Sequence, residues 1–431
     1  MSKKISAALA LLILSCLCAG SFLPRGHAQN SAAGTAQNAA IVSTTAAVLK
    51  ETSELRELSV LRSVKSGAQS RAEIERMIIR NLDTQTTPAE MHAAEIVLRA
   101  FGLAPQDFAY RSFLIKLLKE QVAGYYDPKA QQFYLADWIE LDGQKPVMAH
   151  ELTHALQDQH FNLSRFEKWP KGDSDAELAA HALIEGDATL AMAKYLEKNL
   201  LVALAFLRSM GSQGIASEQY NQAPRALRES LLFPYEEGLA WAEEVYKRGG
   251  WDMVSQAYSK LPQSTEQILH AEKYFSYEAP QKLTLPEFKK FLGPSWKRID
   301  YDVNGEWGCY LILDEFLKNT SESKQAAAGW GGDRFALYET GKPGEVFIAQ
   351  LTAWDTPSDA EEFFGAYAQR IMKRYVDAQQ LKTPDDDRFE WKTSGGVVAM
   401  ELRGSQVAIF EGIPSSTNAN TLLRAIWQKQ R

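Results

Sequence analysis

The stretch His150-Glu151-Leu152-Thr153-His154 decides how we interpret the fold of this chain. It lies inside residues 147–158, a run without helix-breaking residues, and a proline directly before that run suits the first turn of a helix. Residues four apart lie on one face of a helix, so two imidazoles at this spacing can face a single point. We therefore predict a helix that presents His150 and His154 side by side.

Two imidazoles that face one point suit a zinc ion. Zinc binds nitrogen and oxygen ligands tetrahedrally, and a catalytic site uses three protein ligands and leaves the fourth position to water. Glu151, next to the first histidine, has the chemistry of a base that takes a proton from such a water. The alternative interpretation is a pair of helix histidines without a metal.

The N-terminus has the pattern of a secretory signal. Lys3 and Lys4 precede an apolar run, and the small residues that follow end in a cleavage-like sequence, so we assign residues 1–28 to a signal peptide. A retained anchor, or a lipid on Cys16 or Cys18, are the alternatives. Residues 29–46 are Ala, Ser, Thr, Asn and Gln with few large apolar side chains, which predicts a disordered leader.

Composition limits the classes of partner. The first 28 residues carry three basic and no acidic side chains, so their removal lowers the net charge from −7 to −10 and argues against nucleic acid as a partner. No later stretch has about 18 uninterrupted apolar residues, which predicts no membrane span after the signal is removed. The remaining chain keeps a single cysteine, Cys309, and cannot form an internal disulfide. The sequence indicates no oligomeric state.

Two residues compete for the place of third ligand. His160 follows His150 by ten residues, the spacing of the pattern H-E-x-x-H-x-x-G-x-x-H, but Gln157 stands where that pattern has glycine. If the helix continues, ten residues carry His160 about 15 Å along the axis and away from the metal. Glu185 is the other candidate, because Glu177, His181 and Glu185 lie at spacings of four in an alanine-rich helix and a buried carboxylate needs a partner.

The motif pair resembles a known family. His150-Glu151-x-x-His154, followed by Glu185-Gly186-Asp187-Ala188, is similar to the gluzincin branch of the zinc metallopeptidases. The resemblance implies His150, His154 and Glu185 as zinc ligands and Glu151 as the catalytic base. It covers about residues 120–275. It also implies that the strand predicted for residues 132–137 lies at a sheet edge and holds the substrate backbone; an ordinary sheet strand is the alternative.

Three further residues are candidates for supporting roles. His181 precedes Glu185 by one helical turn and can support the same site from behind. His270 and Tyr274 follow a capping-box sequence that starts at Ser264, and we expect both on one helix. A histidine and a tyrosine one turn apart can stabilise a developing oxyanion, whereas the alternative for His270 is a packing role.

The remaining chain completes the predicted architecture. Residues 330–334, Trp-Gly-Gly-Asp-Arg, are interpreted as a turn between helices, and from about residue 344 strands and helices alternate without histidine or cysteine. We therefore expect an α+β protein. It comprises a mainly helical, zincin-like catalytic domain with a small sheet over residues 47–343 and a small α+β domain over residues 344–431.

These features together favour an exported, zinc-dependent metallopeptidase. Its cofactor would be Zn²⁺ and its partner a peptide or protein substrate. A protein of another class is the alternative: a non-catalytic envelope binding or scaffold protein on a zincin fold. Export would place either one in the periplasm or outside the cell.

Overall fold

The computed structural model of the chain describes residues 31–138, 141–169, 172–211, 218–383 and 385–430. The signal peptide assigned to residues 1–28 lies outside these ranges. In the described residues the helices are α1 Ser31–Arg56, α2 Arg71–Gln85, α3 Pro88–Ala100, α4 Tyr110–Gln121, α5 Lys145–Phe161, α6 Ser174–Lys198, α7 Leu200–Gly211, α8 Glu218–Gln222, α9 Arg225–Ala257, α10 Thr265–Leu269, α11 Ala271–Ser276, α12 Lys289–Leu292, α13 Gly305–Leu317, α14 Thr320–Ala327, α15 Pro357–Arg374 and α16 Ala419–Lys429.

Two sheets accompany these helices, so the predicted mixed α+β class is confirmed. The first sheet contains β1 Lys65–Gln69, β2 Gly124–Asp127 and β3 Gln132–Ala136 in the order β1-β3-β2. The second contains β4 Lys297–Asp302, β5 Trp330–Glu339, β6 Val346–Trp354, β7 Gln379–Leu381, β8 Arg388–Thr393, β9 Gly396–Arg403 and β10 Gln406–Ile413 in the order β4-β5-β6-β10-β9-β8-β7. All neighbours in the second sheet are antiparallel.

The seven-stranded sheet is buried on both faces, because successive side chains along a strand point to opposite faces and each face packs against a separate core. Phe335 and Leu337 in β5 face a core that also contains side chains of α6, α9, α13 and α15. Ala336 and Tyr338, one residue out of step, face a second core with α16 and the segment before β4. Because the first core includes residues from Phe101 to Ile409, the helices and the sheet share one apolar interior.

Helix α1 replaces most of the predicted disordered leader. Residues 31–46 belong to a helix, and Ile41 and Thr45 are each only 2% exposed. Ile41 joins Val48 and Leu49 in a core shared with β3 and α5. The composition misled us because alanine, although small, is the strongest helix former, and a few apolar residues on one face suffice for packing.

The predicted domain boundary at residue 344 does not match the sheet. Strands β4 and β5 precede that residue and pair in the same sheet as β6, so residue 344 falls in a hairpin loop. The boundary was placed too late because residues 330–334 were interpreted as a turn, whereas they form the beginning of strand β5. Its two glycines sit where the register shifts between Trp330 and Gly332, and such a bulge tolerates glycine inside a strand.

No helix in the described part of the chain is both long and apolar enough to cross a membrane.

Candidate metal centre

Helix α5 carries the motif and begins and ends as its sequence demands. Pro146 stands in its first turn, and Asn162 ends it in a left-handed conformation at φ 56°. Every residue from 146 to 158 is buried, because the helix packs against α1, α6 and the small sheet. Burial on all sides explains why the motif shows no amphipathic pattern.

Three side-chain atoms converge between α5 and α6. The Nε2 atoms of His150 and His154 are 3.1 Å apart, and Glu185 Oε2 lies 3.2 Å from the first and 3.4 Å from the second. A tetrahedral zinc with bonds of about 2.0–2.1 Å holds its ligand atoms about 3.3–3.4 Å apart. The observed separations and the donor set of two imidazoles and a carboxylate therefore fit a zinc ion.

A close crossing of two helices positions Glu185. A Cβ atom on Gly186 would lie 2.1 Å from the carbonyl oxygen of Gly238 in α9, and one on Gly238 would lie 2.5 Å from the carbonyl oxygen of Ala182. Only glycine allows this separation of the backbones. This close approach of the two helices fixes the position of Glu185, the residue beside Gly186.

The charge of Glu185 suits a ligand. Burial alone would raise the pKa of Glu185, but His154, hydrogen bonds to both histidines and the charge of His150 lower it to about 2. Burial lowers the pKa of His150. Burial also acts to lower the pKa of His154, but the charge and hydrogen bond of Glu185, the charge of Glu151 and the Gln157 contact together raise it to about 9. The centre thus pairs an ionised carboxylate with a His154 ring that favours its protonated form.

Glu151 lies beside the centre in a different environment. Its Oε2 accepts a hydrogen bond from the backbone N–H of Tyr126 at 2.9 Å, while its Oε1 is buried without a hydrogen-bond partner among the described residues. Burial raises the pKa of Glu151 to about 8, an effect that the charge of His154 and the Tyr126 N–H oppose and Glu185 reinforces. A carboxyl group with this pKa exchanges protons near neutral pH.

The small sheet meets the centre through β2. Strand β3 lies between β1 and β2, so both its hydrogen-bonding edges are occupied and the predicted edge strand at residues 132–137 is a central one. The strand itself was predicted correctly, and of the two interpretations the ordinary sheet strand is the one observed, not the edge strand. The edge positions belong to β1 and β2, and β2 carries Tyr126 to Glu151. Pairing partners far away in the sequence decide which strand is the edge, and no local pattern reports them.

A polar chain behind His154 was missed by the sequence analysis. Gln157 Oε1 lies 2.8 Å from His154 Nδ1, and Gln157 Nε2 donates to Asp187 Oδ2 at 2.9 Å and to the carbonyl of Ile184 at 3.0 Å. Asp187 also accepts from Arg56 and from the hydroxyl of Tyr258. The spacing of three between His154 and Gln157 is a sequence signal for such a contact, since both lie on one helix face.

His181 interacts electrostatically with Glu185 but does not belong to the ligand group, and its supporting role stays a prediction. It is 7% exposed, burial lowers its pKa to about 4, and the charge of nearby Glu185 opposes that shift. It also lines a cavity of about 280 Å³ with a mainly apolar wall formed by α3, α6 and α9. The wall includes Val97, Leu98, Leu178, Leu227 and Pro234.

The alternative ligand His160 does not reach the centre. Helix α5 continues through it to Phe161, and its Nε2 lies 2.7 Å from the carbonyl oxygen of Ser59. The helix is not broken at Gln157, whose side chain instead contacts His154, Asp187 and the carbonyl of Ile184. Because the helix rises about 1.5 Å per residue, the ten residues after His150 carry His160 about 15 Å along the axis, and His160 is therefore excluded as a third ligand.

His270 and Tyr274 are also engaged elsewhere. The helix predicted from Ser264 stops at Leu269, and His270 separates α10 from α11. His270 Nε2 lies 2.9 Å from Glu306 Oε1, and the Tyr274 hydroxyl donates to the carbonyl of Lys260. Neither contact involves a residue of the candidate centre. The aromatic side chain that does lie nearby is Tyr235, whose ring centroid is 6.3 Å from that of His150, and no sequence signal pointed to it.

One further carboxylate group among the described residues could accept a cation. Glu266, Glu278 and Asp355 come together at the surface, and the ammonium of Lys273 lies between them at 2.6, 3.1 and 2.5 Å. This group is an ion-pair network in which lysine supplies the positive charge.

Comparison with known proteins identifies one region of the chain. Residues 292–423 match DUF8575, a domain of unknown function. This DUF8575 region covers all seven strands of the second sheet together with α13, α14 and α15. No curated protein and no solved structure matches the chain. The candidate centre lies in α5 and α6, outside the DUF8575 region.

Proposed function

We propose that the protein is an exported zinc-dependent metallopeptidase of the gluzincin type, which hydrolyses peptide bonds in peptide or protein substrates. One observation carries the proposal. Two imidazole nitrogens and one carboxylate oxygen converge at 3.1–3.4 Å, with the carboxyl group of Glu151 beside them. The order of these residues along the chain is the one that the gluzincin resemblance implies.

His150, His154 and Glu185 would hold the zinc ion, and Glu151 would act as the general base. A bound zinc would polarise the scissile carbonyl and lower the pKa of water toward about 7. Glu151 would take a proton from the attacking water and transfer it to the leaving amine. Tyr126 holds one oxygen of Glu151 in place, which leaves the other oxygen for the proton.

The signal-like sequence of residues 1–28 supports the exported part of the proposal. The negative net charge that remains after removal of residues 1–28 argues against nucleic acid as the substrate.

A second function is favoured by the burial of the centre. His150, His154, Glu151 and Glu185 are each 2% exposed or less, which is also typical of a structural metal site. In that case the protein would be a non-catalytic envelope binding or scaffold protein on a zincin fold. Zinc would then contribute to stability and Glu151 would have no chemical role.

Replacement of Glu151 by glutamine separates the two functions. We expect Glu151→Gln to keep its zinc while turnover of a peptide mixture falls by about 10²–10⁴-fold, because the base is lost but no ligand is changed. Zinc per chain is measured by elemental analysis and turnover by mass spectrometry. Glu90→Gln is the matched control, since Glu90 is equally buried and lies in α3 within a capping box that glutamine also satisfies.

Equal turnover by native protein and Glu151→Gln, with zinc present in both, would contradict the peptidase proposal. Zinc without any turnover favours the scaffold function. A native protein that binds no zinc contradicts both the ligand assignment and the mechanism.

A further inference from the structure

Gln157 occupies a position where its amide can face only one way. One end of the amide lies against two acceptors, the Asp187 carboxylate at 2.9 Å and the Ile184 carbonyl at 3.0 Å. That end must be the NH₂ group, because an amide oxygen there would face two other oxygens. The amide oxygen therefore faces His154 Nδ1 at 2.8 Å. A carbonyl oxygen only accepts, so Nδ1 must carry the proton.

Asp187 accepts hydrogen bonds from side chains of α1, of α5 and of the residue that follows α9. Arg56, the last residue of α1, donates to both of its oxygens, and the hydroxyl of Tyr258 and Gln157 Nε2 donate to Oδ2. Arg56 and Asp187 are both fully buried, so their charges depend on each other. Arg56 also lies over the ring of Trp251 at 4.5 Å. The arrangement leaves Asp187 no freedom to turn away from Gln157.

We propose that Gln157, fixed by Asp187 and Arg56, is a positioning residue that holds His154 in the Nδ1–H tautomer with Nε2 directed at His150 and Glu185. The inference rests on the metal site of the proposed function and extends it to residues that do not touch the metal. Donation of Nδ1–H fixes the ring and raises the basicity of Nε2. Helix α1 thus supports the centre although Arg56 lies 131 positions before Asp187 in the sequence.

Zinc affinity tests the inference with a matched pair of variants. We expect Gln157→Met to weaken zinc binding by about 10–100-fold, measured by competition with a chromogenic chelator. Gln159→Met is the control. Gln159 lies two residues further along the same helix and also binds through its amide, to the backbone of residues 61 and 62, but it does not contact a histidine. We expect its zinc affinity to remain that of the native protein.

A second variant changes the chemistry and keeps the shape. Gln157→Glu places a carboxylate against Asp187 and the Ile184 carbonyl, so acceptors face acceptors, and we expect it to weaken zinc binding also. Arg56→Lys keeps the charge but loses the two-oxygen contact, and we expect a smaller loss than in either Gln157 variant. This graded order distinguishes positioning of His154 from a general loss of packing.

Nuclear magnetic resonance of the native protein tests the tautomer without any variant. In the zinc-loaded protein with ¹⁵N-labelled histidine, we expect His154 to show a slowly exchanging Nδ1–H and a metal-bound Nε2. A metal-bound Nδ1 would overturn the inference. Equal zinc affinities in native protein and Gln157→Met would also overturn it while leaving the proposed function intact, whereas a native protein without zinc would overturn both.

Discussion

At the scale of single residues, Glu151 and Glu185 are buried carboxyl groups of one centre whose pKa values move in opposite directions. Burial raises the pKa of Glu151 to about 8. Burial also acts to raise the pKa of Glu185, but the charges and hydrogen bonds of His150 and His154 together lower it to about 2. Two acids with separated pKa values can take different roles, one as proton carrier and the other as permanent anion. The anionic form of Glu185 suits a ligand, whereas Glu151 must first give up its proton, which a bound cation would favour, before it can act as the base.

His270 and Glu306 predict how stability depends on pH. The hydrogen bond to Glu306 raises the pKa of His270 despite partial burial, and burial raises the pKa of Glu306. The folded state therefore holds these protons more tightly than the unfolded chain. The His270 stabilisation is complete below the usual histidine pKa of 6.5 and is lost as the pH rises through the raised value. Because burial raises the pKa of Glu306, its ionisation also lowers the stability of the folded state as the pH rises.

We therefore expect the advantage of native protein over His270→Gln in urea unfolding to shrink as the pH rises above the usual histidine pKa of 6.5. Comparing the two proteins cancels the other titrating groups that they share. Glu272, Glu266 and Lys273 also contribute charge near this pair and remain in both proteins. A difference in the free energy of unfolding that stays constant as the pH rises above 6.5 would show that His270 and Glu306 do not interact as inferred.

At the scale of elements, the crossing of α6 and α9 is the contact that forms the centre. Gly186 and Gly238 allow the two backbones to approach, and the crossing brings Glu185 to α5 and Tyr235 near His150. Neither glycine has a positive φ, so glycine is needed at these positions only because a Cβ atom would clash with the facing helix. A helix that carries a ligand is thus positioned by a partner helix that carries none.

Substitution of Gly186 by alanine should therefore be costly. The added Cβ would lie 2.1 Å from a carbonyl oxygen, so the helices must separate, and we expect a loss of about 1–3 kcal/mol in the free energy of unfolding together with weaker zinc binding. Denaturant unfolding and chelator competition measure the two effects. Gly365→Ala is the control, because Gly365 lies inside α15 with nothing within 4 Å of its Cβ position. There we expect a gain of about 0.5–1 kcal/mol; a similar gain at Gly186 would refute the crowding argument.

Helices and strands with strong local signals were predicted well. The motif helix and the strand before it lie within a few residues of their predicted positions, and both strands and helices follow residue 344 as expected. Strand β5 was missed because its glycine pair imitates a turn, and α1 was missed because its few apolar residues are diluted by alanine and threonine. In both cases the local composition carried less information than the packing partner.

At the scale of the whole molecule, Arg370 joins the DUF8575 region to the helical part. This fully buried side chain in α15 donates to Glu411 in β10 and to the carbonyl of Phe101, which follows α3. Glu411 accepts three further hydrogen bonds, from Tyr367, Arg374 and Tyr375. A charge pair satisfied from both parts, together with the shared apolar core, makes the two parts depend on each other for stability.

We expect Glu411→Gln to destabilise the protein by about 3–5 kcal/mol, because it leaves the Arg370 charge buried without its partner. The free energy of unfolding is measured in denaturant by tryptophan fluorescence. Glu401→Gln is the control on the neighbouring strand β9. Glu401 pairs with the exposed Arg403, and such pairs contribute about 0–1 kcal/mol. Equal effects of the two substitutions would contradict the role assigned to Arg370.

The sequence by itself determined the motif helix and the pair of imidazoles on one of its faces, because both follow from the 3.6-residue period of a helix. It also indicated the candidate partner Glu185, because a carboxylate in an alanine-rich helix is expected to be buried and to need a partner. Only the tertiary structure decided that this carboxylate reaches the imidazoles, that Gln157, Asp187 and Arg56 stand behind them, and that His160, His270 and Tyr274 do not take part. These contacts join residues up to 131 positions apart, and such pairings depend on how whole elements pack and not on local spacing.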